Sequence, residues 1–349
     1  MDLQTSAKSH FLDVFSRFIL QPRTLDYKVQ FPGPTGANAV EAAIKLARKI
    51  TGRSNVIAFT NGFHGCSLGA LALTGSSHHR STSMPLLTNV TRAPYDGYFG
   101  EDVDTADHLE QLLSDPSSGV DRPAAIILET IQGEGGLGTA SREWTQKIAQ
   151  ICRKHGALLI VDDIQAGCGR SCDFFSFEAL GIVPDLVCLA KAISGYGLPM
   201  SLLLIKPEHD VWAPGEHNGT FRGNNLAFIT AAKTIEHFWA SDAFSDALKV
   251  KADTLDQHLT LLNEHTGLQA KGRGFFRGVE LGDPEIAGKL QEHCYQSGLI
   301  VETCGPRDTV LKLLPPLTVT DDEITRAFTI IRSAIDALMP SHNAQIAAQ

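Results

Sequence analysis

The sequence predicts an α/β protein, with a mostly parallel sheet in a large domain and a smaller α/β domain at the C-terminus. Three observations carry this. Apolar runs of strand length, such as Ala157–Val161 and Leu186–Ala190, are bounded by turn signals and read as buried strands. Segments of helical spacing lie between such runs. From about Ser241 the pattern shifts to alternating helices and shorter strands. A length of 349 residues suits two domains and a large core. The expected divisions are a helix and linker over 1–30, a large domain over 31–240, a small domain over 241–340 and a frayed tail over 341–349.

Composition excludes several classes. The hydrophobic fraction of 43% and the charged fraction of 20% are ordinary for a soluble globular chain. The net charge is −9 and no Lys/Arg cluster stands ready to meet phosphates, which argues against nucleic acid as a partner. Seven cysteines at irregular spacing do not form a disulfide framework and point to a reducing, cytoplasmic compartment. Cys168 and Cys172 lack a second pair or a nearby histidine, so no metal site is expected. No apolar run approaches the ~20 residues of a membrane span, and the N-terminus has no signal-peptide layout.

Taken in order, the chain opens on an amphipathic helix, with Phe11, Leu12, Val14, Phe15, Phe18 and Ile19 at helical spacing. FPGPTGANAVEAAIKLARKI is a Gly/Pro turn running into a helix, with Asn38 in the N-cap region and helix formers over Ala39–Ile50. The free N–H groups of such a start offer an anion site at Thr35, Gly36 and Ala37, although most such turns are plain helix starts. NVIAFTNGFHG reads as a strand and a turn. AAIILETIQGEGGLG is a strand followed by Gly133, Gly135 and Gly138, which match G-x-G-x-x-G, and Trp144–His155 is helical. With Asp162 at the end of the next strand, this spacing is also that of an NAD-binding turn. Against that reading, Glu134 places a negative charge within the proposed pyrophosphate turn. GLPMSLLLIKPE is a further strand, and Thr220 precedes a long helix. GFFRGVEL, LIVETCG and VLKLLPPLTV supply the later strands. Thr320 and Glu323 form a capping-box pattern ahead of a last helix over Asp321–Leu338.

Two strand ends concentrate the chemistry. Ala157–Val161 runs into Asp162 and Asp163, and Leu186–Ala190 runs into Lys191. Parallel strands deliver their working groups at their carboxyl ends, so an acid and an amine should face one crevice. Such a pair also reads as a structural ion pair. The setting of Lys191 favours the other reading: LVCLA precedes it, AISGYGLPM follows it, and desolvation penalises the ammonium form. A neutral lysine attacks carbonyls, the Schiff-base role of pyridoxal phosphate (PLP) enzymes, and a carboxylate such as Asp162 would keep the cofactor's ring nitrogen protonated.

The motifs TGANAVEAAIKLAR, NGFHG, LETIQGEGG, VDDIQAGCGR, LAKAISGYGLPMS, HNGTFRGNNLA and VLKLLPPLTV occur in this order from Thr35 to Pro316. In them the chain resembles class III (ω) PLP-dependent aminotransferases of fold type I. Within the class it is most similar to the diaminobutyrate–2-oxoglutarate aminotransferases of ectoine and siderophore pathways. The resemblance implies Lys191 as the Schiff-base lysine, Asp162 at the ring nitrogen and Gln165 at the ring phenol oxygen. It implies the phosphate at Thr35, Gly36 and Ala37, Phe63 stacked on the ring and His64 beside it. For His64 a structural, hydrogen-bonded histidine remains the plainer account. Thr220 would bind the phosphate of a neighbouring subunit, which makes a homodimer, or a dimer of dimers, with a shared active site; a surface N-cap is the alternative. Glu134 would be a movable carboxylate near a substrate-binding cation. Ornithine-type and GABA-type relatives carry an arginine where this chain has Lys312, and lysine offers a point charge instead of a bidentate fork.

The resemblance also implies a further N-terminal segment before Met1, so a shortened and poorly active homologue is one expectation. The others are an ornithine- or GABA-type aminotransferase and, from a different class, an NAD-dependent oxidoreductase using Gly133, Gly135 and Gly138.

Overall fold

The structure is a computed structural model that describes residues 3–81, 86–100 and 102–339. The tail expected to fray at 341–349 lies outside the described residues. A seven-stranded sheet is formed by β1 (Lys28–Gln30), β2 (Val56–Phe59), β3 (Val90–Ala93), β4 (Ala125–Leu128), β5 (Leu158–Asp162), β6 (Leu186–Leu189) and β7 (Leu202–Ile205), in the order β1-β7-β6-β5-β4-β2-β3. The central pairs are parallel, from β3 through β2, β4 and β5 to β6. Strands β7 and β1 pair antiparallel at one edge. A second, four-stranded antiparallel sheet holds β8 (Gln269–Arg273), β9 (Phe276–Glu280), β10 (Glu302–Cys304) and β11 (Val310–Leu313), in the order β10-β11-β9-β8.

Alternation along the strands sorts the core into two layers. Ile57, Phe59, Ile126, Leu128, Leu159, Val161, Val187 and Leu189 face one side, against Phe11, Phe15, Trp144, Phe174, Phe175 and Phe228. Val56, Ala58, Ala125, Ile127, Leu158, Ile160, Leu186 and Cys188 face the other, against the helix Gly36–Thr51. Both faces are covered, which is why these strands read as continuous apolar runs. Each fully buried aliphatic side chain contributes about 1.5–3 kcal/mol. The same alternation separates the two acids that end β5. Asp162 keeps the parity of Leu158 and Ile160 and faces the Gly36 helix; Asp163 keeps that of Leu159 and Val161 and turns to the aromatic layer.

The helix over 36–51 approaches closely because it is rich in alanine: Ala39, Ala42, Ala43 and Ala47 are fully buried. Its N-cap is Thr35, and Asn38 sits inside the first turn, where its Oδ1 accepts the Thr35 backbone N–H at 3.2 Å. Thr35 is thus the cap itself and Asn38 its capping-box partner, within the N-cap region expected of it. The helix ends at Gly52, whose φ of 68° suits glycine. The last helix spans Asp321–Leu338 and carries the Thr320–Glu323 capping box, as the sequence predicts.

The G-x-G-x-x-G stretch departs from the NAD-binding expectation. Ile131 bridges Thr139, Gln132 N–H donates to Gly138, and the chain closes on itself as a hairpin-like loop. The following helix, Arg142–His155, is capped separately by Ser141, so the glycines do not open onto its N-terminus. They are small because the loop is crowded. A Cβ on Gly133 would lie 1.7 Å from Gln165 Oε1, and one on Gly135 would lie 2.3 Å from the Asn61 carbonyl.

Candidate active site

A cavity of about 560 Å³ opens at the carboxyl ends of the parallel strands. Thr35, Gly36 and Ala37 border it at the helix start, Phe63 and His64 after β2, Glu134 after β4, Asp162 and Gln165 after β5, and Lys191 after β6. Nine of the eleven site residues expected from the sequence therefore meet at one cavity. Lys312 stands behind Glu134, bonded to it. Thr220 lies elsewhere, in an exposed turn ahead of the helix Asn225–Phe238, and that helix is capped by Asn224 rather than by Thr220.

Lys191 follows β6 with a φ of 50°, a left-handed conformation that costs a non-glycine residue on the order of 1 kcal/mol. The residue starts the short turn Lys191–Ser194 and is itself open to the cavity. Burial, with the Lys312 charge adding to it, lowers the amine's pKa against the opposing pull of Glu134, Asp162 and Glu129. The sequence around Lys191 shows no nearby charge; the fold supplies all four of these groups, from β5, β11 and the segment after β4.

Asp162 is buried and fully engaged. Its Oδ2 is 2.7 Å from His64 Nδ1, and its Oδ1 accepts the Ile164 N–H at 3.2 Å. Burial opposes the charged imidazole, but the bond to Asp162 and the nearby carboxylates outweigh it and raise the His64 pKa. His64 is thus a buried histidine whose ring is bonded to the Asp162 carboxylate. Gln165 Nε2 donates to Glu134 Oε1 at 3.1 Å. Lys312 Nζ reaches both Glu134 Oε1 and Glu302 Oε2 at 3.1 Å. Lys312 is 3% exposed, yet its pKa is raised because the two carboxylates outweigh burial. The Glu134 carboxyl is held low, with Lys312 and Gln165 outweighing burial.

Three functional neighbours escaped the sequence reading. Ile164 lines the cavity between Asp162 and Gln165. Glu302 sits directly across from Lys312 in the β10–β11 register. Glu129 lines the cavity as a buried acid at the end of β4. The last had a signal, since it ends an apolar run as Asp162 does; the other two had none.

Residues 19–335 match the family Aminotransferase class-III. The chain belongs to the class-III aminotransferases. It is 51% identical over 345 residues to a diaminobutyrate–2-oxoglutarate transaminase of Vibrio parahaemolyticus, covering 98% of this chain and 82% of that one. It is 51% identical over 343 residues to the same-named enzyme of Bordetella parapertussis, covering 97% and 79%. Among solved structures, a Bacillus anthracis aminotransferase superposes with a TM-score of 0.84 at 23% identity, over 96% of this chain and 81% of that one. An S-selective transaminase from Arthrobacter sp. gives 0.84 at 21%, again over 96% and 81%. These two likenesses bear on the fold, which is PLP fold type I.

Class-III aminotransferases are PLP-dependent enzymes, and the aminotransferase described here has a cavity that fits the cofactor. It presents a carboxylate for a ring N–H, an amine for the aldehyde, and helix N–H groups for the phosphate. Phe63 and Ile164 offer apolar surface to a flat ring. The cradle leaves no space for side chains at two of its glycines: a Cβ on Gly36 would lie 2.8 Å from Ile164 Cδ1, and one on Gly65 would lie 2.7 Å from Ala37 Cβ. Among the described residues no cluster could hold a metal ion, and no helix is long and apolar enough to cross a membrane.

Proposed function

We propose that this aminotransferase moves an amino group between L-glutamate/2-oxoglutarate and an ω-aldehyde/diamino acid pair, L-aspartate 4-semialdehyde/L-2,4-diaminobutyrate. The observation that carries the reading is the near-complete match, at about half identity, to transaminases of that name.

Bound PLP supplies an aldehyde that exchanges amines and a ring that withdraws electrons from the substrate carbon. In this reading Lys191 holds the cofactor and afterwards moves the proton at the substrate carbon, a task its lowered pKa suits. Asp162, held in place by His64, would accept the ring N–H. Gln165 would hold the ring's phenol oxygen, and the N–H groups of Gly36 and Ala37, beside the Thr35 cap, would hold the phosphate. Glu134 is the adjustable group. Paired with Lys312 it shares the cation with Glu302; swung aside it leaves Lys312 held by Glu302 alone and open to a substrate carboxylate. One site then accepts glutamate, with its distal acid, and a diamino acid, with its distal amine.

We further infer a homodimer in which Thr220 faces the neighbouring subunit's cofactor phosphate. Support comes from Tyr196, 80% exposed, and Phe221, 88% exposed, beside segments that line this cavity and the one next to it. The large PLP-binding domain would end near residue 240. All seven cysteines are unpaired, which suits a cytoplasmic protein.

The test is amino transfer with the loaded enzyme, comparing L-2,4-diaminobutyrate, L-ornithine and GABA as donors to 2-oxoglutarate. The reading expects diaminobutyrate to have the highest kcat/KM. A higher kcat/KM for ornithine or GABA overturns the substrate assignment. Borohydride treatment followed by peptide mass analysis should find the cofactor on Lys191.

A further inference from the structure

Glu129 is a buried acid with no part in the roles above. It is 7% exposed and borders the cavity. Its Oε2 accepts the Phe63 backbone N–H at 2.9 Å, and its Oε1 accepts the Gly133 N–H at 3.3 Å. One side chain therefore ties together two turns that are far apart in sequence. The first carries Phe63 and His64; the second carries Glu134. The main chain of Glu129 is anchored in turn, because its carbonyl accepts the Tyr95 hydroxyl at 2.7 Å. Two convergent N–H donors need two acceptor oxygens. A carboxylate offers both, whereas an amide or a protonated carboxyl replaces one of them with a donor group.

We propose that Glu129 is a positioning residue of this aminotransferase, a proton-gated clamp that, when ionised, fixes the Phe63 turn against the Glu134 turn. The proposal rests on the reading that Phe63 meets the cofactor and Glu134 meets the substrate. Protonation removes one acceptor and weakens the other, because bonds to an ionised acceptor are roughly twice as strong as neutral ones. The groups facing Glu129 come from several elements. His64 comes from the turn after β2, Asp162 from β5 and Lys191 from the turn after β6. Tyr95 follows β3, while Arg92 on β3 acts through His64. Burial, with the Asp162 charge adding to it, pushes the Glu129 carboxyl up to about 7, against His64 and the two N–H bonds. The gate therefore operates near neutral pH. Below it the two turns are released; above it they are held.

The experiment compares wild-type enzyme with Glu129→Gln, a permanently neutral side chain. Amide hydrogen exchange at Phe63 and Gly133 is followed below and above pH 7, with and without PLP. At equal pH, the ratio of wild-type to variant protection should rise about tenfold through neutrality. The kcat of the wild type should follow the same limb, and that of the variant should be flat at the wild type's low-pH level. Parallel exchange and parallel pH profiles in the two proteins overturn the clamp, whatever the variant's activity. Should the variant not fold, the wild type alone decides. Its Phe63 and Gly133 amides must show a step near neutrality that the Ala124 amide, bonded to the Asn55 carbonyl, does not; absence of that step overturns the proposal. Exchange in cofactor-free protein does not depend on the substrate, so a failed diaminobutyrate assignment and a failed clamp are told apart.

Discussion

The two ends of the cavity are built differently. At the inner end, Asp162 and His64 are 4% and 3% exposed, and each holds the other, Asp162 from the end of β5 and His64 from the turn after β2. At the outer end, the Lys312 ammonium is buried but its two partners are open, with the Glu134 side chain 41% and the Glu302 side chain 64% exposed. Burial explains the contrast. A charge pair removed from water is costly to break, because the partner left behind remains desolvated. A pair with one hydrated carboxylate exchanges its partner at little cost. The inner end is thus suited to keep one charge state through a reaction, and the outer end to change partners between two substrates.

The largest effect should come from Lys191, where the two ends meet. Lys191→Ala should lower kcat by at least about 10²–10⁴-fold, the usual contribution of a positioned acid–base group, and remove borohydride-dependent cofactor attachment. The thermal transition should stay cooperative, since alanine keeps the Cβ of lysine and adds no backbone strain at this left-handed position. Wild-type levels of cofactor attachment in this variant would falsify the assignment.

Next come the two ends themselves. Asp162→Ala should lower kcat about 10²-fold or more and weaken cofactor binding, because it leaves His64 without its partner and the ring without a counter-charge. Lys312→Met should leave cofactor affinity alone and raise the KM for glutamate about tenfold, a loss of roughly 1.4 kcal/mol at a partly hydrated pair. If both variants lose cofactor to the same degree, the two ends are not independent and the contrast fails.

The smallest effect sharpens the comparison within one strand end. Asp163 is next to Asp162 but faces the aromatic layer. Its Oδ2 accepts the Ser176 N–H at 3.0 Å, and its Oδ1 has no partner. Burial pushes its carboxyl from 3.8 up to about 7, against the bonds to Ser176. A folded-state pKa above the unfolded value means stability present below about 4 and lost as pH rises towards 7. Asp163→Asn should abolish that loss. In urea titrations it should match the wild type near pH 4 and exceed it by up to about 4 kcal/mol at pH 8. A variant less stable than the wild type at pH 8 would show that the Asp163 charge supports the fold.

Much of the site was legible because it sits at the ends of apolar runs. Asp162 and Lys191 each close a buried strand, and a parallel sheet places such ends along one edge. The Thr320–Glu323 capping box was legible for a similar reason, being made by residues three positions apart. The short edge strands β1 and β3 were not legible, since their residues are only partly buried and carry no apolar run. Gly133, Gly135 and Gly138 misled because a spacing pattern does not say whether a loop opens onto a helix or closes on itself.

The sequence by itself determined the α/β class, the family and most of the polar side chains that meet at the cavity, because these follow from local runs and ordered motifs. The tertiary structure alone decided which acid faces the cavity, since that depends on the parity of β5 between two different layers. It also placed Glu302 across from Lys312 and brought the Phe63 and Gly133 amides to one carboxylate. Those contacts join residues distant along the chain, and their geometry is set by strand order and register, which no local pattern encodes.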